Sequence, residues 1–293
     1  FWIFLQNRND MELQLKIRLL LLATITLTIA SCEKDDVFIQ EEHSVNQRFN
    51  QSMDWNEIHP YREIVLSSDD YTILFMGDSH IGTTRNLENF ISIAVTNNAV
   101  AIIMAGDLTT GSKNDCDKLE RCLQSKGSLL AFLTVGNHDL WPKTGWDEFY
   151  TRFGASVYYF TVKTPGGTDL YISLDSGSGT LGTSQLEWFE SLLQNQRSDY
   201  RQCIVFTHLN FFRFRHTEIS NPLVEELNKL IDIFTLYQVD MLISGHEHLR
   251  SQEVFGITTY IVLEPLKDDT DNAGYLDFNV DNGKITYNFE RFN

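Results

Sequence analysis

Apolar runs that end on a small residue followed by Asp, Asn or His recur five times along this chain. Residues 71–76 run into Gly77-Asp78, 100–104 into Gly106-Asp107, and 129–135 into Gly136-Asn137. Further on, 202–206 run into Thr207-His208, and 239–243 into Ser244-Gly245-His246. Short apolar runs bounded by turn residues read as buried strands. Between them, helical patterns cover roughly 86–97, 113–125, 183–196 and 222–237. Strands alternating with helices predict right-handed crossovers and a mainly parallel sheet covered on both faces. Two stretches break the alternation. Residues 157–162 and 170–174 are strand-like and joined through Gly166-Gly167, and 252–292 hold several strands with a hairpin turning at Asp281-Asn282-Gly283. A second, mixed or antiparallel sheet packed on the first is therefore expected. No internal repeat or low-complexity stretch is visible.

Upstream the rhythm is absent. Residues 33–62 are polar and weakly periodic, which reads as a tether with one short helix. Before it, Met11 is followed by Lys16, Arg18, an apolar run over 19–30 and then Ser31-Cys32, the layout of a signal peptide starting at Met11. The run is well short of the ~20 residues that span a bilayer as a helix. Ile29-Ala30-Ser31-Cys32 resembles the lipobox of bacterial lipoproteins, in which the cysteine becomes the lipid-bearing N-terminus; an ordinary secretory signal with an incidental cysteine is the other reading. Glu33-Lys34-Asp35-Asp36 resembles the signal that sends some lipoproteins to the outer face of the outer membrane, and a solvated linker would look the same. The expected organisation is a leader over 1–31, a polar tether over 32–65 and one folded domain over 66–293. The expected location is the outer membrane, anchored through lipidated Cys32, at the cell surface or otherwise in the periplasm.

Composition narrows the class of partner. With 42% hydrophobic and 22% charged residues, a chain of 293 residues can bury a substantial core. Its formal net charge of -17 repels polyanions, which disfavours duplex nucleic acid as a partner and a nuclease as the activity. A phosphate-bearing substrate would have to be drawn by local cations. Cys203 lies in an apolar strand pattern and reads as a buried thiol, whereas Cys116 and Cys122 flank one helical segment and could pair in an oxidising compartment.

Polar side chains just beyond the carboxyl ends of adjacent parallel strands converge on one crevice. The cluster expected there is Asp78, His80, Asp107, Asn137, His138, His208, His246 and His248. Glycine precedes each carboxylate-bearing end, which lets the backbone turn tightly and approach a bound group. Oxygen and imidazole donors without thiolate suit Mn, Fe, Zn or Co. The i, i+2 pairs Asp78/His80 and His246/His248 put two donors on one side of an extended segment, able to bite one ion or straddle two.

The ordered set Gly77-Asp78-Ser79-His80, Gly106-Asp107, Gly136-Asn137-His138-Asp139, His208 and Gly245-His246-Glu247-His248 resembles the calcineurin-like metallophosphoesterases, including purple acid phosphatase relatives. The resemblance covers about 71–248. It implies an α/β fold with two packed mixed β-sheets flanked by helices, a four-layer α/β/β/α sandwich. It also implies two divalent or trivalent metal ions, with Asp78, His80 and His248 on the first, Asn137, His208 and His246 on the second, and Asp107 bridging. The implied activity is hydrolysis of phosphomonoesters or phosphodiesters, with a metal-activated hydroxide as nucleophile. His138 would be catalytic, touching the phosphate or leaving group, and Asp139 would orient a histidine from behind. Two divalent ions and two carboxylates leave a net positive centre in an acidic protein.

Thr183-Ser184-Gln185-Leu186-Glu187-Trp188 resembles a helix start found in acid phosphatase and cyclic-nucleotide phosphodiesterase branches of that family. Capping by Thr183 or Ser184, with Leu186, Trp188 and Phe189 as core, accounts for it equally well. Two positions depart from family patterns. Thr110 stands where purple acid phosphatases carry the iron-binding tyrosine, so a purple enzyme is not expected, and His208-Leu209-Asn210 lacks a proline common after that histidine.

Any one of these Asp or His residues alone would be read as a structural or solvent-facing group; the joint pattern reverses that. His216, in Phe211-Phe212-Arg213-Phe214-Arg215-His216, reads as part of a surface loop or as a substrate contact. Asp175-Ser176-Gly177-Ser178-Gly179 reads as a flexible rim loop in preference to a phosphate cradle, and His43 and His59 carry no role. The competing function, from another class, is a surface-anchored binding protein with a metal-stabilised scaffold and no catalysis.

Overall fold

The computed structural model describes residues 42–211 and 224–292, all within one folded unit spanning Ile39–Asn293. Cys32, the apolar run before it and His216 lie outside the described residues. Among the described residues no helix is long and apolar enough to cross a membrane.

Strands β2 (Tyr71–Met76), β3 (Ala101–Ala105) and β4 (Leu130–Thr134) pair in parallel, with Ile73 opposite Ala101 and Met104 opposite Leu133. The C-terminal hairpin, β11 (Gly274–Asp281) and β12 (Lys284–Arg291), adds antiparallel to the free side of β2. Asn282 and Gly283 turn this hairpin with φ of 50° and 79°, the paired positive values that suit the right-handed twist of the strands.

A second sheet takes the order β1-β5-β6-β7-β8-β10-β9, from β1 (Glu63–Val65), β5 (Tyr158–Thr164), β6 (Gly167–Ser173), β7 (Gln202–Phe206), β8 (Met241–Ser244), β9 (Ser251–Phe255) and β10 (Thr258–Val262). The parallel strands are thus divided between two mixed sheets, as the family resemblance implies, and are not gathered into one mainly parallel sheet. Strands buried on both faces show no alternation, so their pattern does not say which layer each joins.

Phe75, Ile103, Phe160, Phe206, Ile243 and Phe278 pack between the sheets. Helices α2 (Arg85–Thr96), α3 (Lys113–Gln124) and α4 (Gly145–Phe153) cover the five-stranded sheet through Leu87, Phe90, Leu119, Trp146 and Phe149. Helices α5 (Gly182–Gln196) and α6 (Val224–Leu236) cover the seven-stranded sheet through Phe189, Leu193, Leu230 and Phe234. This is the four-layer α/β/β/α sandwich expected. At the amino ends of the strands, Tyr71 donates to Asp169 (2.7 Å) across the two sheets, and Arg201 holds the same carboxylate (2.7 Å).

The boundary expected at residue 66 moves upstream. Residues 45–58 form helix α1 (Val45–Ile58), opened by a capping box in which Ser44 and Gln47 exchange side-chain and backbone bonds. Arg48 is fully buried against Asp175 (2.7 Å), Ser52 accepts from the Ser156 N–H (3.2 Å), and Asn56 donates to the Val157 carbonyl (2.9 Å). The buried face runs through Arg48, Ser52 and Asn56 at i, i+4 and i+8, so a hydropathy pattern reads it as solvated. Helix α5 begins at Gly182 without a cap from its own N-cap side chain, and Asn46 of α1 accepts from the Ser184 N–H (3.2 Å). Cys116, Cys122 and Cys203 are all buried free thiols, so the pairing of Cys116 with Cys122 is not made. His59 stacks on Trp55 (4.0 Å) and His43 meets Asp147 (3.1 Å), away from the strand ends discussed next.

Candidate metal centre

Strands β2, β3 and β4 of one sheet and β7 and β8 of the other deliver their carboxyl ends to one place. All seven expected ligands and His138 meet there. Three overlapping groups have donor atoms within 4.8 Å of one another: Asp78, His80 and His248; His80, Asp107 and His138; Asp107, His208 and His246. Asn137 joins through its Oδ1, 3.1 Å from His208 Nε2.

The local backbone is unusual, which explains why the loops aim inward. Asp78, His80, Asp107, His246 and His248 adopt φ of 55°, 37°, 51°, 71° and 54°. The left-handed region costs a non-glycine residue roughly 1 kcal/mol or more, so the surrounding bonds must hold these residues in place. Asp78 Oδ2 accepts from the His246 N–H (2.9 Å) and Asp107 Oδ1 from the His138 N–H (2.7 Å). Close approach also demands glycine at two positions. A Cβ at Gly106, itself at φ 82°, would lie 2.6 Å from His208 Cβ, and one at Gly136 would lie 2.2 Å from Asp107 Oδ1.

The donor set has an opening that a cation fits. Asp78 Oδ1 is buried and accepts no hydrogen bond; its imidazole neighbours are His248 Nε2 at 3.3 Å and His80 Nε2 at 3.8 Å. His80 Nε2 and His248 Nε2 face each other at 3.1 Å. On the other side, Asp107 Oδ2 lies 3.1 Å from His208 Nε2, 3.7 Å from His80 Nε2 and 4.0 Å from His138 Nε2. The His208 Nδ1–H donates to the Ala105 carbonyl (3.0 Å), which leaves Nε2 as the ring nitrogen available to an ion. Carboxylate, amide and imidazole donors without a thiol suit a hard or borderline cation.

The carboxylates and imidazoles of the centre shift one another's affinity for protons. Burial pulls His208 down, but Asp107 outweighs it and raises the imidazole to about 9. Burial opposes ionisation of Asp107, yet His208 holds this carboxyl well below the usual range. Burial lowers His80 to about 4, while the Asp78 carboxylate beside it raises His248.

Asp139 has a different task from the one expected. Among the described residues its carboxylate bonds no histidine and accepts from the Leu108 N–H (3.2 Å), the Thr109 N–H (2.7 Å), the Thr109 hydroxyl (2.9 Å) and the Gly136 N–H (2.9 Å). It ties the loop of Asp107 to the loop of Asn137. Burial and the charge of Asp107 raise its pKa to about 6. Thr110 turns away from a ligand role as well, donating to Asp115 (2.5 Å) near the start of α3. Residues 175–179 are no flexible rim: Asp175 and Ser176 have no exposed surface. A polar pair after a strand gave no sign of burial, since its partners Arg48 and Leu209 are remote in sequence.

A search of the curated proteins finds no match. Among solved structures, the chain is similar to GAP50, described as the anchor in the inner membrane complex of Plasmodium, at TM-score 0.61 and 13% identity over 76% of this chain and 84% of that one. It is also similar to a dimetal phosphatase from Danio rerio, at TM-score 0.57 and 10% identity over 75% of this chain and 96% of that one. Identities this low speak for the shared fold alone. The sequence profile of the calcineurin-like phosphoesterases matches residues 71–250, the stretch that runs from the first strand of the centre to just past its last histidine. The chain therefore belongs to the calcineurin-like phosphoesterase family.

Proposed function

We propose that this protein hydrolyses small phosphomonoesters or phosphodiesters at two metal ions. Asp78, His80 and His248 would hold one, Asn137, His208 and His246 the other, and Asp107 both. The observation that carries this reading is the position of Asp107 Oδ2, within 4 Å of imidazoles belonging to each half. Mn, Fe, Zn or Co suits the donors. Once bound, the ions supply positive charge for the phosphoryl group and lower the pKa of water towards neutrality.

The chain's own residues supply the rest. Two divalent ions against Asp78 and Asp107 leave the centre net positive inside a chain of net charge -17, so a compact phosphoester is held locally while a long polyanion is repelled. His138, whose side chain is 39% exposed, is the histidine of its group best placed to meet a ligand from solvent. Its backbone N–H is fixed on Asp107, which sets the imidazole beside the centre to give a proton or hydrogen bond to the leaving oxygen. His138→Ala is expected to lower turnover of a Mn-loaded sample on aryl phosphates and diesters by about 100-fold or more, with ion content unchanged. An unaltered rate would remove His138 from the mechanism. Ions bound without turnover of any mono- or diester would mark a binding protein instead.

Attachment to the outer membrane through Cys32 belongs to the same reading and is supported by the lipobox resemblance. Incorporation of labelled palmitate in a bacterial host, abolished by Cys32→Ser, is the expected result; equal labelling of the variant would reject it.

A further inference from the structure

Helix α1 touches none of the ligands, yet it sits on the polar framework beneath half of them. Arg48 has no exposed surface; its Nε donates to Asp175 Oδ2 (2.7 Å) and its Nη2 to Asp175 Oδ1 (3.2 Å) and to the Ser178 hydroxyl (2.7 Å). Gln185 fixes the Asp175 backbone from the other side, accepting from its N–H (2.8 Å) and donating to its carbonyl (2.9 Å). Next in sequence, the buried Ser176 hydroxyl accepts from the Leu209 N–H (2.8 Å) and meets Thr207 Oγ1 (2.7 Å). The residues on both sides of His208 therefore rest on Ser176.

A second route starts one turn along the helix. Ser52 accepts from the Ser156 N–H (3.2 Å), and Ser156 Oγ accepts from the Val135 N–H (3.1 Å) and bonds Thr134 Oγ1 (2.9 Å). Val135 lies two residues before Asn137. Gly245 N–H donates to the His208 carbonyl (2.9 Å), which carries the same support towards His246.

Apart from the His246 N–H, which donates to Asp78 Oδ2 (2.9 Å), the supports of the other half come from elsewhere. The N–H of Asp78 donates to the Gly106 carbonyl (3.0 Å), that of His80 to the Asp107 carbonyl (3.0 Å), and Asn272 donates to the His248 carbonyl (2.8 Å). Besides its apolar Val45 and Phe49, the helix buries an arginine, a serine and an asparagine, polar contacts that fix its position.

We infer that α1 is a positioning element for the Asn137–His208–His246 half of the centre, acting through Arg48–Asp175–Ser176 and through Ser52–Ser156. The inference rests on the two-ion reading above and adds an asymmetry to it: disturbing the framework loosens one ion and spares the other.

The test uses the full chain and Mn, with ions per chain and their separate affinities read by calorimetry and elemental analysis, and unfolding followed by thermal melts. Arg48→Gln leaves the buried Asp175 without its counter-charge and risks unfolding, so Ser176→Ala, which keeps that ion pair, is the second variant. The expected result for Ser176→Ala is one ion held as in the parent and the other weakened by about tenfold or more, with Arg48→Lys closer to the parent than Arg48→Gln. Both ions held as in the parent, or both weakened equally, would overturn the inference while leaving the two-ion centre standing. A parent chain that binds fewer than two ions would overturn the two-ion reading first, and the inference with it.

Discussion

Asp107→Asn is expected to leave a folded chain that has lost about a thousandfold in turnover. Asparagine keeps the shape of the side chain and an oxygen for the His138 N–H, which lies 2.7 Å from Asp107 Oδ1. What disappears is the negative charge at Oδ2, 3.1 Å from His208 Nε2 and 3.7 Å from His80 Nε2. In the two-ion reading that charge is common to both halves, so ion content is expected to fall together with kcat. Asp78→Asn, by contrast, strips charge from one half. A second readout needs no ion at all. Asp107 is the group that raises His208 to about 9, so in metal-free Asp107→Asn the His208 ring titrates lower, as NMR of the imidazole would report. Full activity with two ions retained would show that the carboxylate is not shared.

Chelation is the second large expected effect. Stripping bound metal is expected to abolish hydrolysis, re-addition of Mn to restore it, and the stripped protein to melt earlier. At free ion a thousand times above Kd, binding stabilises a fold by about 4 kcal/mol per site. The pH dependence follows from His208. In the metal-free chain its pKa is raised to about 9, so near pH 7 it carries a proton that an ion at Nε2 must displace. Ion affinity therefore climbs as pH rises towards 9, and loading releases protons, measurable by calorimetry in buffers of different ionisation enthalpy. Stability runs the other way in the stripped protein. The contribution of His208⁺ beside Asp107 is complete below the unfolded pKa of about 6.5 and is lost as pH rises through about 9. Melts that stay flat across that interval, with no proton release on loading, would refute the assignment of His208 as a ligand.

Much of this site was legible because its signals are local. Gly77-Asp78, Gly106-Asp107 and Gly136-Asn137 each close an apolar run, and parallel strands bring their ends together by geometry. What escaped depends on distant partners. Arg48 and Asp175 are separated by 127 positions, and nothing near either one says that it is buried. Asp139 follows His138 as a ligand's helper would, yet its oxygens serve the N–H groups of Leu108, Thr109 and Gly136, whose directions only the folded loops set. Helix α4 gives only a faint signal because it has nine residues, although Trp146, Phe149 and Phe153 stand at helical spacing. The division of strands between two sheets left no trace in runs buried on both faces.

That division gives the cluster a mechanical meaning. Asp78, Asp107 and Asn137 hang from one layer, His208 and His246 from the other, so cations seated among them would rivet the layers at their carboxyl ends. The amino ends already have a clasp in Tyr71 and Asp169. Withdrawing the rivets would let the sandwich gape from one side, pivoting on that clasp, and amide exchange would quicken at the mouth before it did at the pivot.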